Sequence, residues 1–87
     1  MIPDTLDPDF PHLHHLKAIG HHDDLLQAVR EAIDPLAPGI EPSAFQLRES
    51  RQGRYAAVTC SLMVENSEQL QAIYAAIQKI EGVLLCL

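Results

Sequence analysis

The sequence predicts a single α+β domain whose elements follow one another in the order β-α-β-β-α-β. Two segments place apolar residues at the spacing of a helix that buries one side, and residues 55–64 alternate apolar and polar side chains as a half-buried strand does. Glycine or proline stands at most of the predicted boundaries. With 87 residues, the chain is long enough for one hydrophobic core and too short for two.

The first half of the chain predicts one strand and one helix. Residues 12–19 form the strand, which Gly20 ends, and the alternation of side chains alone does not assign its buried face. The helix covers residues 23–36, with Asp23 and Asp24 in its first turn, where the helix dipole favours negative charge. Pro35 and Pro38-Gly39 stop the helix, because proline cannot donate the backbone hydrogen bond of a helix.

A hairpin opens the second half of the chain. A short strand over residues 44–49 directs Phe45 and Leu47 inward, and residues 50–54 form the turn. The long strand over residues 55–64 is the clearest element, because its alternation is regular. Its side chains expected to face the core are Ala56, Val58, Cys60, Leu62 and Val64.

A second helix and a final strand complete the domain. Asn66 is expected to cap the helix with Gln69 as its capping-box partner, and Gly82 is a suitable residue just beyond the helix end. The apolar run over residues 83–87 is predicted as the last strand. The helix buries a stripe that comprises Leu70, Ile73, Ile77 and Ile80, with Tyr74 on its flank.

This order of elements is typical of the ferredoxin-like, split β-α-β fold. Right-handed crossovers place both helices on one face of a four-stranded antiparallel sheet of strand order 4-1-3-2, and they leave the other face open. The first strand then lies between Cys60 and Cys86, which are two ladder steps of about 4.8 Å apart, too far for a disulfide. We therefore expect two free thiols.

Charge and composition limit the classes of partner. The net charge is −6, with 12 acidic against 6 basic residues, whereas a nucleic-acid partner requires a basic surface. No apolar run approaches the ~20 residues of a membrane span and no signal-peptide pattern opens the chain, so we expect a cytoplasmic protein. Residues 1–9 are expected to form a flexible acidic arm that contains prolines, and residues 10–87 to form the domain.

Several short motifs carry a family resemblance: Phe10-Pro11, Lys17-Ala18-Ile19-Gly20, Ser50-x-x-Gly53-x-Tyr55, Ile73-Tyr74 and the apolar C-terminal strand. Together they resemble the YbeD-like family of small bacterial proteins of unknown function, over about residues 10–87. The resemblance implies a ferredoxin-like fold similar to the ACT regulatory domains that sense small molecules, and a link to lipoate metabolism without an established activity. It also assigns His14, Leu16 and Ala18 to the inward face of the first strand, although the family commonly has an aromatic residue where this chain has His14.

The five histidines are the most unusual feature of the composition. His12 and His14 point to one face of the first strand, an arrangement that can bind a transition metal. His15 points to the other face, and His21 and His22 lie beyond the far end of the strand. Because no Cys, Asp or Glu stands at a spacing that completes a ligand set, we predict separate histidines, no metal site and no cofactor.

Three arginines surround the predicted hairpin: Arg48, Arg51 and Arg54. In an acidic protein they form a local positive region that suits a carboxylate, a phosphate or a protein partner, since arginine offers a planar fork of donors. The alternative interpretation is a solvated hairpin whose charges maintain solubility and protect an edge strand.

The open face of the sheet is the second candidate surface. An apolar patch that no helix covers often marks an interface, and self-association as a homodimer is the simplest way to cover this one. The residues predicted on this face are Leu13, His15, Lys17, Ile19, Ala57, Thr59, Ser61 and Met63.

These observations leave two functional hypotheses. The first is a non-catalytic regulatory module that senses a small ligand, because the sequence contains no Ser-His-Asp set, phosphate-binding glycine loop or CxxC pair. The second is an adaptor that docks an enzyme through the open sheet face or the arginine-rich hairpin. A sensor is stabilised by a metabolite, whereas an adaptor responds only to a protein.

Overall fold

The structure, a computed structural model, describes residues 9–87. The predicted flexible arm therefore lies outside the described residues, apart from Asp9. A short 3-10 helix covers Pro42–Ala44. The strands and helices are β1 (His12–Gly20), α1 (Leu25–Ile33), β2 (Phe45–Glu49), β3 (Ala56–Val64), α2 (Ser67–Gln78) and β4 (Val83–Cys86).

The four strands form one antiparallel sheet in the order β2-β3-β1-β4. Read from the other edge, this is the order 4-1-3-2 expected from the sequence. The element order is likewise the one predicted, so the ferredoxin-like α+β fold is confirmed. The central strand β1 pairs with β3 along its whole length but with β4 only near its C-terminal end.

The hydrophobic core lies between one sheet face and the two helices. Leu16 and Ala18 of β1 are buried and pair with Cys60 and Val58 of β3, which are buried too. The inward face of β1 is therefore the one that the family resemblance assigned. The helices contribute the buried side chains Leu25, Val29, Ile33, Ile73 and Ile77.

Helix α1 is shorter than the residues 23–36 predicted from its apolar spacing. The Asp24 side chain accepts a hydrogen bond from the Gln27 N–H at 3.4 Å, so Asp24 caps the helix from outside. The prediction that both aspartates lie in the first turn is therefore wrong. At the other end, Ile33 is the last helical residue, because Pro35 has no N–H to continue the ladder.

Helix α2 begins as the sequence predicts. The Asn66 Oδ1 atom accepts from the Gln69 N–H at 2.8 Å. The Gln69 side chain reaches back to accept from the Glu65 N–H at 2.8 Å, one residue before the expected partner. Its Nε2 donates to the Leu36 carbonyl at 2.9 Å, so the same residue ties α2 to the segment that follows α1.

Strand β2 is only partly covered by the helices. Phe45 packs against the core, as predicted. Leu47 also faces the helix side, because it pairs with the buried Val58, but 45% of its surface is exposed. Leu47 therefore faces inward as predicted, but it borders a cleft and is not covered by a helix.

Candidate functional site

A cleft of about 550 Å³ opens at the end of the sheet where β1 leads into α1. The β1–α1 loop forms one side, the β2–β3 hairpin the other, and the turn before β4 contributes a third segment. Elements that are distant in sequence therefore meet at one surface. The side chains that line it include His21, His22, Asp23, Asp24, Leu47, Glu49, Arg54, Tyr55 and Glu81.

The two histidines of the cleft are held in different ways. The Nδ1 atom of His21 faces the carbonyl oxygen of Arg54 in the hairpin, and its ring lies 4.9 Å from that of Tyr55 at 32°. The His22 Nδ1 atom accepts from the Asp24 N–H at 2.9 Å. His21 thus joins the β1–α1 loop to the hairpin, whereas His22 orders the residues just before α1.

Close backbone contact closes the cleft beside Glu81. The His21 N–H donates to the Gly82 carbonyl at 2.8 Å, and Gly82 has a φ of +92°. A Cβ atom on Gly82 would overlap the carbonyl oxygen of His21, and one on Gly20 would overlap the backbone of Gly82. Only glycine at these positions lets the end of β1 and the turn before β4 approach so closely.

The charges around the cleft are mostly negative. Among the described residues, its lining includes the carboxylates of Asp23, Asp24, Glu49 and Glu81, and Arg54 is the one arginine or lysine there. Leu47 and Tyr55 add apolar surface, each with nearly half of its area exposed. The cleft therefore combines an acidic rim with an apolar wall.

The structure separates the three arginines that surround the hairpin. Arg54 lines the cleft, and its N–H donates to the Ser50 Oγ atom at 3.0 Å. Arg48 pairs with Ala57 and so projects toward the open sheet face. Arg51 is exposed in the turn. The predicted positive region is thus distributed over two faces of the molecule.

The eight residues predicted on the open sheet face lie there as four cross-strand pairs. Within one of them, the His15 Nδ1 atom and the Ser61 Oγ atom are hydrogen bonded at 2.7 Å. Leu13 is 56% exposed and Met63 54%. The pairs are Leu13–Met63, His15–Ser61, Lys17–Thr59 and Ile19–Ala57.

Two residues that the sequence analysis did not assign also lie on this face: Leu85 of β4, and Leu87 just after it. Leu85 pairs with Ile19, and Leu87 exchanges two backbone hydrogen bonds with Lys17. Both leucines are exposed. A continuous apolar run gives no alternation from which to assign its two faces, so only the register with β1 identifies them.

A chain of hydrogen bonds joins the start of β1 to α2. The His12 Nδ1 atom lies 2.5 Å from the Asp9 carbonyl oxygen, and the His12 Nε2 atom lies 3.0 Å from the His14 Nδ1 atom. The His14 Nε2 atom in turn lies 3.0 Å from the Tyr74 hydroxyl. The sequence placed His12 and His14 on one face but did not identify Tyr74 as their partner.

Burial shifts the pKa values at the inner end of this chain. It lowers the pKa of His14, an effect that the neighbouring His12 and His15 reinforce. It also raises the pKa of Tyr74, with Cys86 as a smaller contributor. Within residues 9–87, no group of three or more histidine, cysteine, aspartate or glutamate side chains is arranged to hold a metal ion.

The two cysteines are free thiols on the core side of β3 and β4. Leu16 pairs with Cys60 and Ala18 pairs with Cys86, so β1 separates them as the fold predicted. Burial raises the pKa of the Cys60 thiol to about 11 and raises that of Cys86. Both thiols are therefore protonated at neutral pH and are poor nucleophiles.

The fold and the cleft define a small ferredoxin-like α+β protein with a polar cleft at one end and an uncovered sheet face. Residues 8–87 match the family model described as "Protein of unknown function (DUF493)". The chain belongs to this family, and the YbeD-like resemblance is confirmed. Among residues 9–87, no helix has both the length and the apolar character that crossing a membrane requires.

Named relatives support this membership. The chain is 36% identical over 80 residues to a UPF0250 protein of Neisseria gonorrhoeae, covering 91% of this chain and 88% of the relative. It is 30% identical over 70 residues to a UPF0250 protein of Bordetella pertussis, covering 79% and 72%. The solution structure of protein HP0495 from H. pylori has the same fold, with a TM-score of 0.70 and 20% identity over 100% of this chain and 96% of that one. The protein is thus a small bacterial member of a family of unknown function.

Proposed function

We propose that the protein is a non-catalytic regulatory module of the cytoplasm whose small-molecule ligand binds in the cleft. The convergence of three separate segments on the cleft supports this proposal, because a ligand there would link the β1–α1 loop, the hairpin and the turn before β4. Within residues 9–87, the side chains of the lining include no serine, cysteine or lysine nucleophile. Two free thiols, Cys60 buried and Cys86 partly buried, suit a reducing compartment.

The charge of the cleft favours a ligand with an amine or other cationic group attached to an apolar body. Four carboxylates face a single guanidinium, so an anionic head group meets net repulsion and a cationic one meets attraction. Leu47 and Tyr55 offer the apolar surface that the body of such a ligand would cover. The implied link to lipoate would require the cleft, or another site, to accept a carboxylate.

A thermal-shift comparison of hexylamine with hexanoate and lipoate tests this proposal. Hexylamine and hexanoate share a six-carbon chain and differ in the charge of the head group. We expect a rise in Tm that depends on the concentration of hexylamine, because a ligand that binds only the folded state stabilises it by mass action. We expect no comparable rise with hexanoate or lipoate.

The variant Glu49→Gln/Glu81→Gln removes two carboxylates from the cleft without a large change in volume. Exposed ion pairs contribute roughly 0.2–1 kcal/mol each, so we expect the apparent affinity for hexylamine to fall by about twofold to thirtyfold. Glu31→Gln on α1, where Glu31 accepts from Gln27, is the control that makes the same kind of charge change outside the cleft. If hexanoate or lipoate raised Tm as much as hexylamine does, the proposal would be contradicted.

The second candidate is a protein-interaction adaptor, and the open sheet face favours it. Large exposed apolar side chains lie on that face, namely Leu13, Met63, Leu85 and Leu87. Arg48 lies on the same face, on β2 next to Ala57, where its guanidinium suits an acidic group of a partner. An adaptor differs from a sensor in that no small molecule shifts its Tm.

A further inference from the structure

We infer that His12, His14 and Tyr74 form a pH-operated latch that holds the segment before β1 against the domain and that opens when both imidazoles are protonated. We call these three residues the latch. The latch lies at the start of β1, whereas the cleft lies beyond its end, so the inference does not depend on the proposed ligand. It concerns a second property of the molecule, its response to acid.

The hydrogen-bond partners fix where the protons lie when both rings are neutral. The Asp9 carbonyl can only accept, so the His12 Nδ1 atom carries a proton and its Nε2 atom has a free lone pair. The His14 Nδ1–H must then donate to His12, which leaves the His14 Nε2 atom to accept from the Tyr74 hydroxyl. Every donor in this arrangement has an acceptor.

One additional proton can be accommodated without breaking the latch. A proton on His14 Nε2 makes it the donor to the Tyr74 oxygen, because a phenol hydroxyl can accept as well as donate. The bond between the two rings is unaffected. The singly protonated latch therefore retains all of its contacts.

A second proton is not compatible with the same geometry. Both rings would be cations, and two N–H groups would face each other across the 3.0 Å between the His12 Nε2 and His14 Nδ1 atoms. Neither atom could accept, and the like charges would repel each other. The rings must therefore separate. Once His12 moves, its contact with the Asp9 carbonyl is no longer held in place. The same is true of its contact with the Phe10 ring, whose centroid lies 4.5 Å from that of the His12 ring.

Among the described residues, the groups that shift the pKa of His14 include no carboxylate that would stabilise its charge. The titratable groups close to it are His12 on the same face of β1, its sequence neighbour His15 on the opposite face, and Tyr74 from α2, with Cys86 of β4 next to Tyr74. Its partner on β3 is the apolar Leu62. The lowered pKa of His14 agrees with this arrangement, since burial and the two neighbouring imidazoles disfavour the cation.

The sign of the effect on stability follows from proton binding. Below an unfolded-state pKa of about 6.5, the unfolded chain protonates both imidazoles, whereas the folded latch accepts only one proton. Stability is therefore present above about pH 6.5 and is lost as the pH falls toward the lowered pKa of His14. The loss amounts to as much as roughly tenfold in the folding equilibrium constant per pH unit.

The test compares His14→Phe with His15→Phe in the full chain, in the presence of EDTA so that no metal takes part. His14→Phe keeps a ring against α2 but removes both ring nitrogens from the latch. His15→Phe makes the same substitution on the opposite face of the same strand. We expect Tm to fall less between about pH 7.5 and pH 5.5 in His14→Phe than in the wild-type protein, and His15→Phe to behave as the wild type does.

Two further measurements separate a latch from a side chain that only fills space. Long-range ¹H–¹⁵N spectra should show neutral His14 protonated at Nδ1, with a titration midpoint below 6.5. Amide hydrogen exchange, corrected for its intrinsic pH dependence, should increase for residues 10–14 at about pH 5.5 in the wild type but not in His14→Phe. A His14 protonated at Nε2 under conditions where both rings are neutral, or an unchanged exchange pattern in the wild type, would overturn the inference.

Discussion

At the scale of single residues, glycine allows the end of β1 and the turn before β4 to approach closely beside the cleft. Gly82 combines a positive φ with a position at which a Cβ would overlap the His21 carbonyl. Gly53 has a φ of +67° in the hairpin, but nothing lies within 4 Å of the Cβ that would be added there. The two glycines therefore share a backbone requirement and differ in their surroundings.

We predict that Gly82→Ala destabilises the protein more than Gly53→Ala does. Both substitutions place alanine in a backbone region that costs it about 1–2 kcal/mol, and only Gly82→Ala adds a steric overlap with backbone. Urea unfolding of the two variants at neutral pH measures the difference. Equal losses would show that the turn before β4 relaxes without cost, contrary to the close contact between Gly82 and His21.

At the scale of elements, the two helices differ in how firmly they are capped. The Asn66 cap of α2 is 2.8 Å long and is accompanied by the two hydrogen bonds of the Gln69 side chain. The Asp24 cap of α1 is 3.4 Å long and has no such companion among the described residues. Helix α1 therefore depends more on the packing of its buried residues, Leu25, Val29 and Ile33.

We predict that Asn66→Ala lowers the free energy of unfolding by about 1–2 kcal/mol and that Asp24→Ala lowers it by less than 1 kcal/mol. Chemical denaturation of both variants, with an unchanged m-value as the sign of two-state unfolding, makes the comparison. A greater loss of unfolding free energy in Asp24→Ala than in Asn66→Ala would mean that the longer hydrogen bond of α1 contributes more than its geometry indicates.

The sequence predicted the elements well where the physical signal is local. Asn66 with Gln69 predicted the start of α2, and the alternation from Ala56 to Val64 predicted the buried face of β3. The exposure of Leu47 was missed, because it depends on how far a helix extends over a neighbouring strand. Periodicity in one segment carries no information about that distance.

At the scale of the whole molecule, the open sheet face is a large apolar surface that the two helices do not cover. The exposed side chains of Leu13, Met63, Leu85 and Leu87 lie on it, with Lys17 and the His15–Ser61 pair between them. A second copy could cover this face by packing sheet against sheet. The homodimer expected from the sequence thus remains a prediction.

We predict a concentration-dependent dimer in sedimentation velocity experiments, and we predict that Met63→Glu abolishes it. A carboxylate at this position would be desolvated in a sheet-to-sheet interface. Gln71→Glu on the exposed side of α2 is the matched control, because it adds the same charge on the other side of the molecule. A wild-type protein that is monomeric up to about 100 μM would contradict the prediction and would leave the face to a different protein.

The candidate sites could be identified only from the folded structure. The cleft joins His21 to Arg54 and Tyr55, and the latch joins His14 to Tyr74, which is 60 positions away along the chain. Neither pair has a spacing that identifies it as a motif. By contrast, the eight residues of the open face were predicted, because alternation assigns the two faces of β3 and the family resemblance assigns those of β1.

The central position of β1 also governs how the domain assembles. β1 precedes every other strand in the chain, yet its pairing with β3 joins Leu16 to Cys60, and its pairing with β4 joins Ala18 to Cys86. Both pairings close long loops, and such contacts slow folding because the entropy of closure is lost before the contacts form. Until β4 docks, β1 is an edge with free backbone groups beside its C-terminal half. A chain that emerges gradually from a ribosome must therefore keep this edge from other chains until its last strand arrives.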